Sequence, residues 1–282
     1  YYPSVVNTGK ADNRGFELAL THENRIKDFT YGARFNISWY KNRYLSVTDS
    51  PNIQEHLKRN GRKLGQKHGL VALGLFQTDE EARNWPSIFG DQRAGDIKYL
   101  DVNGDGKLTY QDDRMWIADS NVPQLNSALT IHAEYKGFDF SMLWVGTSKV
   151  SRFVSAGLRV PFGGGNYGLL QYMIDDHWTP ETAETAKTPR FSGAANANNY
   201  TRNSTLWLKD ASYMRLKNLQ VGYTFKGDWM KKIYLKNMRI YASGENLLTF
   251  DHLKIADPEA TDDKQFEYPL QMIFNIGLNL NF

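Results

Sequence analysis

"PLQMIFNIGLNLNF", residues 269–282, carries the clearest pattern in the chain. Leu270, Met272, Phe274, Ile276, Leu278, Leu280 and Phe282 fall on one face. Gln271, Ile273, Asn275, Gly277, Asn279 and Asn281 fall on the other. A period of two belongs to a β-strand, whose successive side chains point to opposite sides. Strands of soluble domains usually run about 5–6 residues, and this pattern lasts about twice as long. A strand that crosses a membrane needs about 9–11 residues and is apolar on alternate positions only.

Working back from the terminus, the alternation recurs. Met238, Ile240 and Ala242 oppose Arg239, Tyr241, Ser243 and Glu245; Leu219, Val221, Tyr223 and Phe225 oppose Gln220, Gly222 and Thr224. Phe138, Phe140, Met142 and Trp144 form a third set, and Leu129, Ile131, Ala133 and Tyr135 a fourth. Tyr31, Ala33, Phe35, Ile37 and Trp39, and then Phe16, Leu18 and Leu20, complete seven long strands. A soluble β-sandwich alternates in the same way. Two features favour a membrane barrel. The polar face holds Arg34, His132, Glu134, Arg239 and Glu245 in mid-strand, and Trp39, Tyr40, Tyr135, Trp144, Tyr223, Phe225 and Phe282 gather toward strand ends, as in an aromatic girdle.

Short links (22–28, 136–137, 226–236) alternate with long ones (43–125, 149–210, 250–268). Outer-membrane barrels have short periplasmic turns and long extracellular loops. Parity then places the three long links outside, and "GLVALGLFQ" at 69–77 either belongs to the first of them or has an unseen partner. The fold class expected is all-β, an antiparallel transmembrane barrel. Seven strands cannot close one, since bacterial single-chain barrels have even counts and an open edge in lipid leaves backbone groups unsatisfied. The chain opens "YYPSVVNTGKADNRGF", without Met or a charged-then-apolar leader, and reads as the C-terminal part of something longer.

The bulk numbers exclude little but point the same way. Of 282 residues 41% are hydrophobic, so much apolar surface needs cover. Lys and Arg number 34 against 31 Asp and Glu, a net +3 too balanced for a nucleic-acid partner. There is no cysteine, hence no disulfide and no thiolate chemistry.

One motif invites an ion. "DVNGDGKLTYQDD" at 101–113 sets Asp101, Asn103, Asp105, Gly106 and Asp112 at the spacing of an EF-hand-type calcium loop. The Lys107 carbonyl and Thr109, through water, would complete the set. The flanks read as extended rather than helical, so the site would be a weak extracellular one, in the range of roughly 10⁻⁴–10⁻³ M. Asp, Asn and Gly also make metal-free Asx-turns, and both readings stand. No motif requires another cofactor. No catalytic residue is assigned: Asp175, Asp176 and His177 precede a Pro turn, the six histidines have no metal spacing, and the Gly-rich 160–168 lacks the Lys-Ser/Thr of a phosphate loop.

Taken in order, "VNTGKADNRGFEL" (6–18), "GLVALGLFQTDEE" (69–81), "GDIKYLDVNGDGKLTYQDDR" (95–114), "YKGFDFSMLWVG" (135–146), "HWTPET" (177–182), "STLWLKDASYMRLKNLQVGYTF" (204–225), "MRIYASGENLLTF" (238–250) and "DPE" (257–259) resemble the C-terminal region of the SusC/RagA family of TonB-dependent outer-membrane transporters of Bacteroidetes. The chain departs from the family where "LKIADPE" lacks a preceding Gly. The resemblance implies about a third of a barrel of about 22 strands, with the N-terminal plug outside this sequence. It implies import of large nutrients, glycan or peptide, across the outer membrane, a SusD-like lipoprotein as lid, and energy from TonB through the plug. Loop aromatics pack on sugar rings and apolar side chains. Trp85, Trp116, Tyr167, Tyr172, Trp178 and Tyr200 are therefore the candidates for cargo or lid contact, against the plainer role of packing loop on loop. A soluble calcium-stabilised glycan-binding β-domain is the alternative, and a β-rich hydrolase a weaker one.

Overall fold

The computed structural model describes residues 9–87, 90–162, 168–192 and 197–282. Its strands are β1 (Lys10–Ile26), β2 (Phe29–Ser46), β3 (Lys67–Leu70), β4 (Ala72–Leu75), β5 (Ile97–Tyr99), β6 (Arg114–Ala118), β7 (Leu125–Tyr135), β8 (Phe138–Ser148), β9 (Ser151–Phe153), β10 (Leu208–Asp210), β11 (Tyr213–Phe225), β12 (Asn237–Asp251) and β13 (Ile273–Asn281). Seven of these form one antiparallel sheet in the order β1-β2-β7-β8-β11-β12-β13. Once the short loop strands are set aside, every neighbour in the sheet is the next strand along the chain. The sheet is therefore a meander, with its short turns at one end and its long connections at the other. It is not closed: among the described residues β1 pairs only with β2, and β13 only with β12.

The turns explain the register. Lys136 (φ 46°) and Gly137 (φ 92°) both lie in the left-handed region, as a two-residue type I′ hairpin loop requires. A side chain at Gly137 would meet the Thr224 carbonyl at 2.8 Å, so the turn can lie against β11 only as glycine. Between β1 and β2 only Lys27 and Asp28 remain outside the strands. The connection expected over 22–28 is thus shorter, and residues 22–26 stay paired.

Three other expectations are corrected. Trp39 and Tyr40 are not at a strand end, because β2 runs to Ser46. Its pairing with β7 stops at Trp39↔Leu125, so β1 is the one strand of the sheet paired with residues 40–46, which overhang it. The last strand starts at Ile273 rather than Leu270. Its partner β12 takes a left-handed residue at Asn246 (φ 53°), just beyond the last pair Glu245↔Ile273. The long connections run 47–124, 149–212 and 252–272, displaced by these same strand ends.

The two faces differ as the alternation demands. Phe16, Leu20, Val221 and Ile276 on the apolar face are 54%, 54%, 47% and 87% exposed. No second sheet covers them among the described residues. Aromatic contacts band this face at both ends. Phe29 stacks with Tyr31 and meets Tyr135, and Phe138, Tyr223 and Phe225 follow at the turn end. Phe16–Trp39 and Trp144–Phe250 mark the other end. Phe138 and Trp144 sit about 20 Å apart along β8 at ~3.4 Å per residue. On the polar face Arg239 reaches across β11 to Asp139 (2.5 and 2.9 Å), and it can do so because residue 222 is glycine. A Cβ there would meet Asp139 at 2.5 Å and Arg239 at 2.6 Å.

The hydrophobic core is not in this sheet. It lies among the long connections, where Leu70, Ile97, Tyr99 and Leu108 form one cluster and Val154, Leu158, Tyr200 and Trp207 a second. Leu206 packs against both. No helix of the described residues is long and apolar enough to cross a membrane.

Candidate functional site

The three long connections fold into one body at the end of the sheet opposite the short turns. Short strands supply local order: β3 pairs with β6, β4 with β5, and β9 with β10. "TDEE" starts helix α1 (Asp79–Asn84), because the Thr78 hydroxyl accepts the Glu81 N–H (3.1 Å) and Glu81 accepts the Gln77 N–H (2.9 Å).

One buried carboxylate joins the first two connections. Asp96 is 1% exposed. It forms an ion pair with Arg190 (Nε 2.7 Å away) and accepts hydrogen bonds from Arg190 Nη2 (3.2 Å), Asn199 Nδ2 (2.8 Å) and the Arg93 N–H (2.9 Å). Asn199 in turn accepts the Ile97 N–H (3.0 Å), and its carbonyl accepts Trp207 Nε1 (2.7 Å). Backbone bonds repeat the join, from Leu70 N–H to the Asn203 carbonyl and from Arg190 N–H to the Gly95 carbonyl, both 2.9 Å.

The third connection is tied in by charge. Arg215, 3% exposed on β11, donates from Nη1 to Glu259 (2.6 Å), from Nη2 to both oxygens of Asp257 (3.1 Å each) and from Nε to Thr249 (2.8 Å). A fork of this kind suits a guanidinium. Lys67 binds Asp262 at 2.5 Å, and Gln265 accepts the Ser155 N–H (2.9 Å) while donating to the Phe153 carbonyl (2.8 Å).

In the Asp-rich loop the carboxylates engage the loop's own backbone. Asp101 accepts the Gly104 and Gly106 N–H groups (2.8 Å each). Asn103 accepts Asp105 N–H (3.1 Å), and Asp105 accepts Lys107 N–H (2.8 Å). Asp112 and Thr109 bond to each other (3.0 Å). Asp113, outside the expected set and fully buried, closes the loop by accepting Val102 N–H (2.9 Å) and Thr109 N–H (2.7 Å). Among the described residues no three or more His, Asp or Glu side chains gather to hold a metal. The oxygens of Asp101, Asn103, Asp105 and Asp112, with the Lys107 carbonyl, are hard donors of the type calcium takes.

The aromatic candidates divide by burial. Tyr200 is 2% exposed and donates to the Arg190 carbonyl (2.9 Å), which places it inside the loop body rather than on a surface. Tyr172, on α2 (Gln171–Asp176), donates to the Leu158 carbonyl, and burial pushes its hydroxyl up to about 12. Trp85 is half-buried, donates to the Tyr99 carbonyl (2.8 Å) and lies under the Lys98 ammonium (3.9 Å). Trp116 is half-buried against His68, whose pKa is lowered by burial first and by Arg114 second. Trp178 is half-buried over Gly95. Tyr167 lies outside the described residues, as do 163–166 of the Gly-rich stretch. His177 stacks on Phe191 (4.2 Å) and bonds to the Ile174 carbonyl (2.7 Å), while Asp175 accepts Gln171, so this trio is local loop structure.

No protein-family model matches the chain. Curated relatives and solved structures do. TonB-dependent receptor P3 of Formosa agariphila is 27% identical over 304 residues, covering 99% of this chain and 29% of the receptor. TonB-dependent receptor SusC of Bacteroides thetaiotaomicron is 23% identical over 288 residues, covering 98% of this chain and 27% of SusC. The RagAB peptide importer in its open-open state superposes with a TM-score of 0.71 at 21% identity, covering 97% of this chain and 29% of that one. The chain is a partial SusC/RagA-like barrel segment. It spans less than a third of the length of the curated relatives it matches.

Within this SusC/RagA-like segment the family-like stretches acquire physical roles. "DPE" supplies the two carboxylates that grip Arg215, and "GDIKYLDVNGDG" supplies both Asp96 and the Asx-turns. Sequence reasoning missed Asp96, Asp113 and Arg215. For Arg215 a signal existed, since a guanidinium in the middle of "SYMRLKNL" needs an acidic partner if buried.

Proposed function

We propose that the chain is part of the wall and outer face of an outer-membrane transporter that imports large nutrients, glycan or peptide. The observation that carries this reading is the division of the molecule: one sheet with an uncovered apolar face, short turns at one end, and one packed body of long loops at the other. The apolar face meets lipid and the polar face lines the passage. The loop body faces outward, where a SusD-like lipoprotein closes over cargo. TonB supplies energy through a plug that lies outside this sequence. The names of the receptors and of the RagAB peptide importer support the reading. Half-buried Trp85, Trp116 and Trp178 are rim positions from which an aromatic edge can reach cargo or lid. The 101–113 loop braces this face.

The test uses the whole transporter with its lid. Membrane fractionation followed by uptake of labelled peptides and labelled oligosaccharides, with and without TonB, should give energy-dependent import of one class. A protein that stays soluble, or uptake that ignores TonB, would refute the reading.

A further inference from the structure

We propose that the β11–β12 connection is a lipid anchor: its exposed aromatic and aliphatic side chains enter the bilayer interface, and its lysines take anionic phospholipid headgroups. The inference rests on the wall-in-lipid reading above and goes beyond it. The stretch is "KGDWMKKIYLK", residues 226–236, containing α3 (Asp228–Lys231). Trp229, Ile233 and Tyr234 are 51%, 52% and 86% exposed. Met230 and Leu235 point inward, at 0% and 8%. The connection has thus already buried the residues that hold it in place, and its remaining apolar side chains face out by construction.

Backbone bonds fix that presentation. The Met230 carbonyl accepts both Ile233 N–H and Leu235 N–H (3.0 Å each), and Lys236 N–H donates to the Asn281 carbonyl of β13 (2.7 Å). Tyr234 itself is left-handed, φ 58°. Glycine or asparagine adopts that backbone more easily. A strained, almost fully exposed tyrosine therefore points to something its ring does outside the chain.

Place and charge name the occupant. The connection lies at the same end as the 27–28 and 136–137 turns. It continues the aromatic band Phe138–Tyr223–Phe225, whose centroids are 4.5 and 4.6 Å apart. Trp and Tyr collect where one end of the ring is apolar and the other wet. Four lysines (226, 231, 232, 236) against Asp228 give the stretch a net charge of 4 − 1 = +3. Lys226, Lys232 and Lys236 are exposed. A cationic, aromatic surface at the edge of a lipid-facing sheet fits an anionic bilayer interface rather than a neutral protein partner.

The test uses the complete transporter in nanodiscs of phosphatidylcholine with or without phosphatidylglycerol. This chain has no cysteine of its own, so, with any cysteine elsewhere in the transporter replaced by serine, single nitroxide labels can be placed by Ile233→Cys and, as a control on the sheet's apolar face, Val221→Cys. The expected result is a label at 233 reached by oxygen and shielded from a water-soluble nickel complex, though less deeply than the label at 221. A label at 233 as open to nickel as a loop label overturns the anchor. One immobilised in detergent as well as in lipid shows a protein surface over it, and overturns it too. If the label at 221 is also open to nickel, the wall-in-lipid reading itself has failed. For the headgroups, native mass spectrometry should show retained phosphatidylglycerol. The combined variant Lys226→Gln, Lys232→Gln and Lys236→Gln should lower that preference at least about fivefold, the factor expected of even one lysine at an anionic surface. An unchanged preference overturns the lysine role.

Discussion

The sheet and the loop body obey opposite rules. In the sheet, large apolar side chains are exposed and charged ones such as Arg239 and Asp139 meet on the polar face. In the loop body, apolar side chains are buried and the charges that matter, Asp96 and Asp113, are buried with them. The sheet is held by a repeated backbone ladder and needs no particular partner for any one residue. The loop body is held by single contacts between segments far apart in sequence. The sheet is the half of the molecule that leaves its apolar face uncovered, and the loop body is the half that is packed like a water-soluble domain.

Substitutions can break that contrast. The largest effect is expected for Asp96→Ala, which leaves Arg190 and Asn199 without their carboxylate and costs about 3 kcal/mol. Hydrogen exchange should speed up in β4, β5 and around Tyr200 while β7 and β8 stay protected. Equal loss in the wall strands would show that the two regions are one cooperative unit. Next, Val221→Arg on the apolar face should cost about 2–4 kcal/mol in lipid, against under about 1 for the adjacent Gln220→Arg. Urea unfolding of the whole transporter in vesicles reads the difference, and equal values would cancel the assignment of faces.

Smaller effects sharpen the contrast. Gly222→Val forces Asp139 and Arg239 apart and should cost about 1–3 kcal/mol. A thermal shift no larger than that of Ala128→Val, also on the polar face, would remove the glycine's special role. The smallest effect is electrostatic. The folded pKa of His68 lies below its ordinary 6.5, so its neutral form is the one that fits. Its contribution is present above pH 6.5 and is lost as pH falls through the folded value. Proteolysis of the 67–118 segment should therefore accelerate on acidification below 6.5, and His68→Gln should flatten that response.

Much of the sheet was legible because period two survives in any single sequence. Its failures have local causes. Lys217 is a bulge between Leu216 and Asn218, so Leu216 and Leu219 share a face three residues apart and the alternation breaks where β11 continues upward. "KNRYLS" at 41–46 has no apolar stripe, and it lies beyond the last pair that β2 makes with β7. The left-handed Asn246 ends the pairing of β12 with β13, and its side chain donates instead to the Gln271 carbonyl (3.0 Å). In the loop body the spacing of Asp101, Asn103 and Asp105 announced a turn-rich loop, but Asp113 lay one position past the pattern. Asp96 gave no signal, since Arg190 and Asn199 lie about a hundred residues away.

The overhang of β1 and β2 has a mechanical consequence. Residues 40–46 rise about 24 Å past the last rung shared with β7, at ~3.4 Å per residue. The first loop leans on this two-stranded mast: Tyr44 exchanges bonds with Gly61 and Arg62, and Asn42 accepts the Leu64 N–H. A two-stranded ribbon twists more readily than a wide sheet. A push on the loops is therefore absorbed first by flexing the mast, while the ladder below it keeps its shape. The hairpin is a compliant strut between the loop body and the wide part of the sheet.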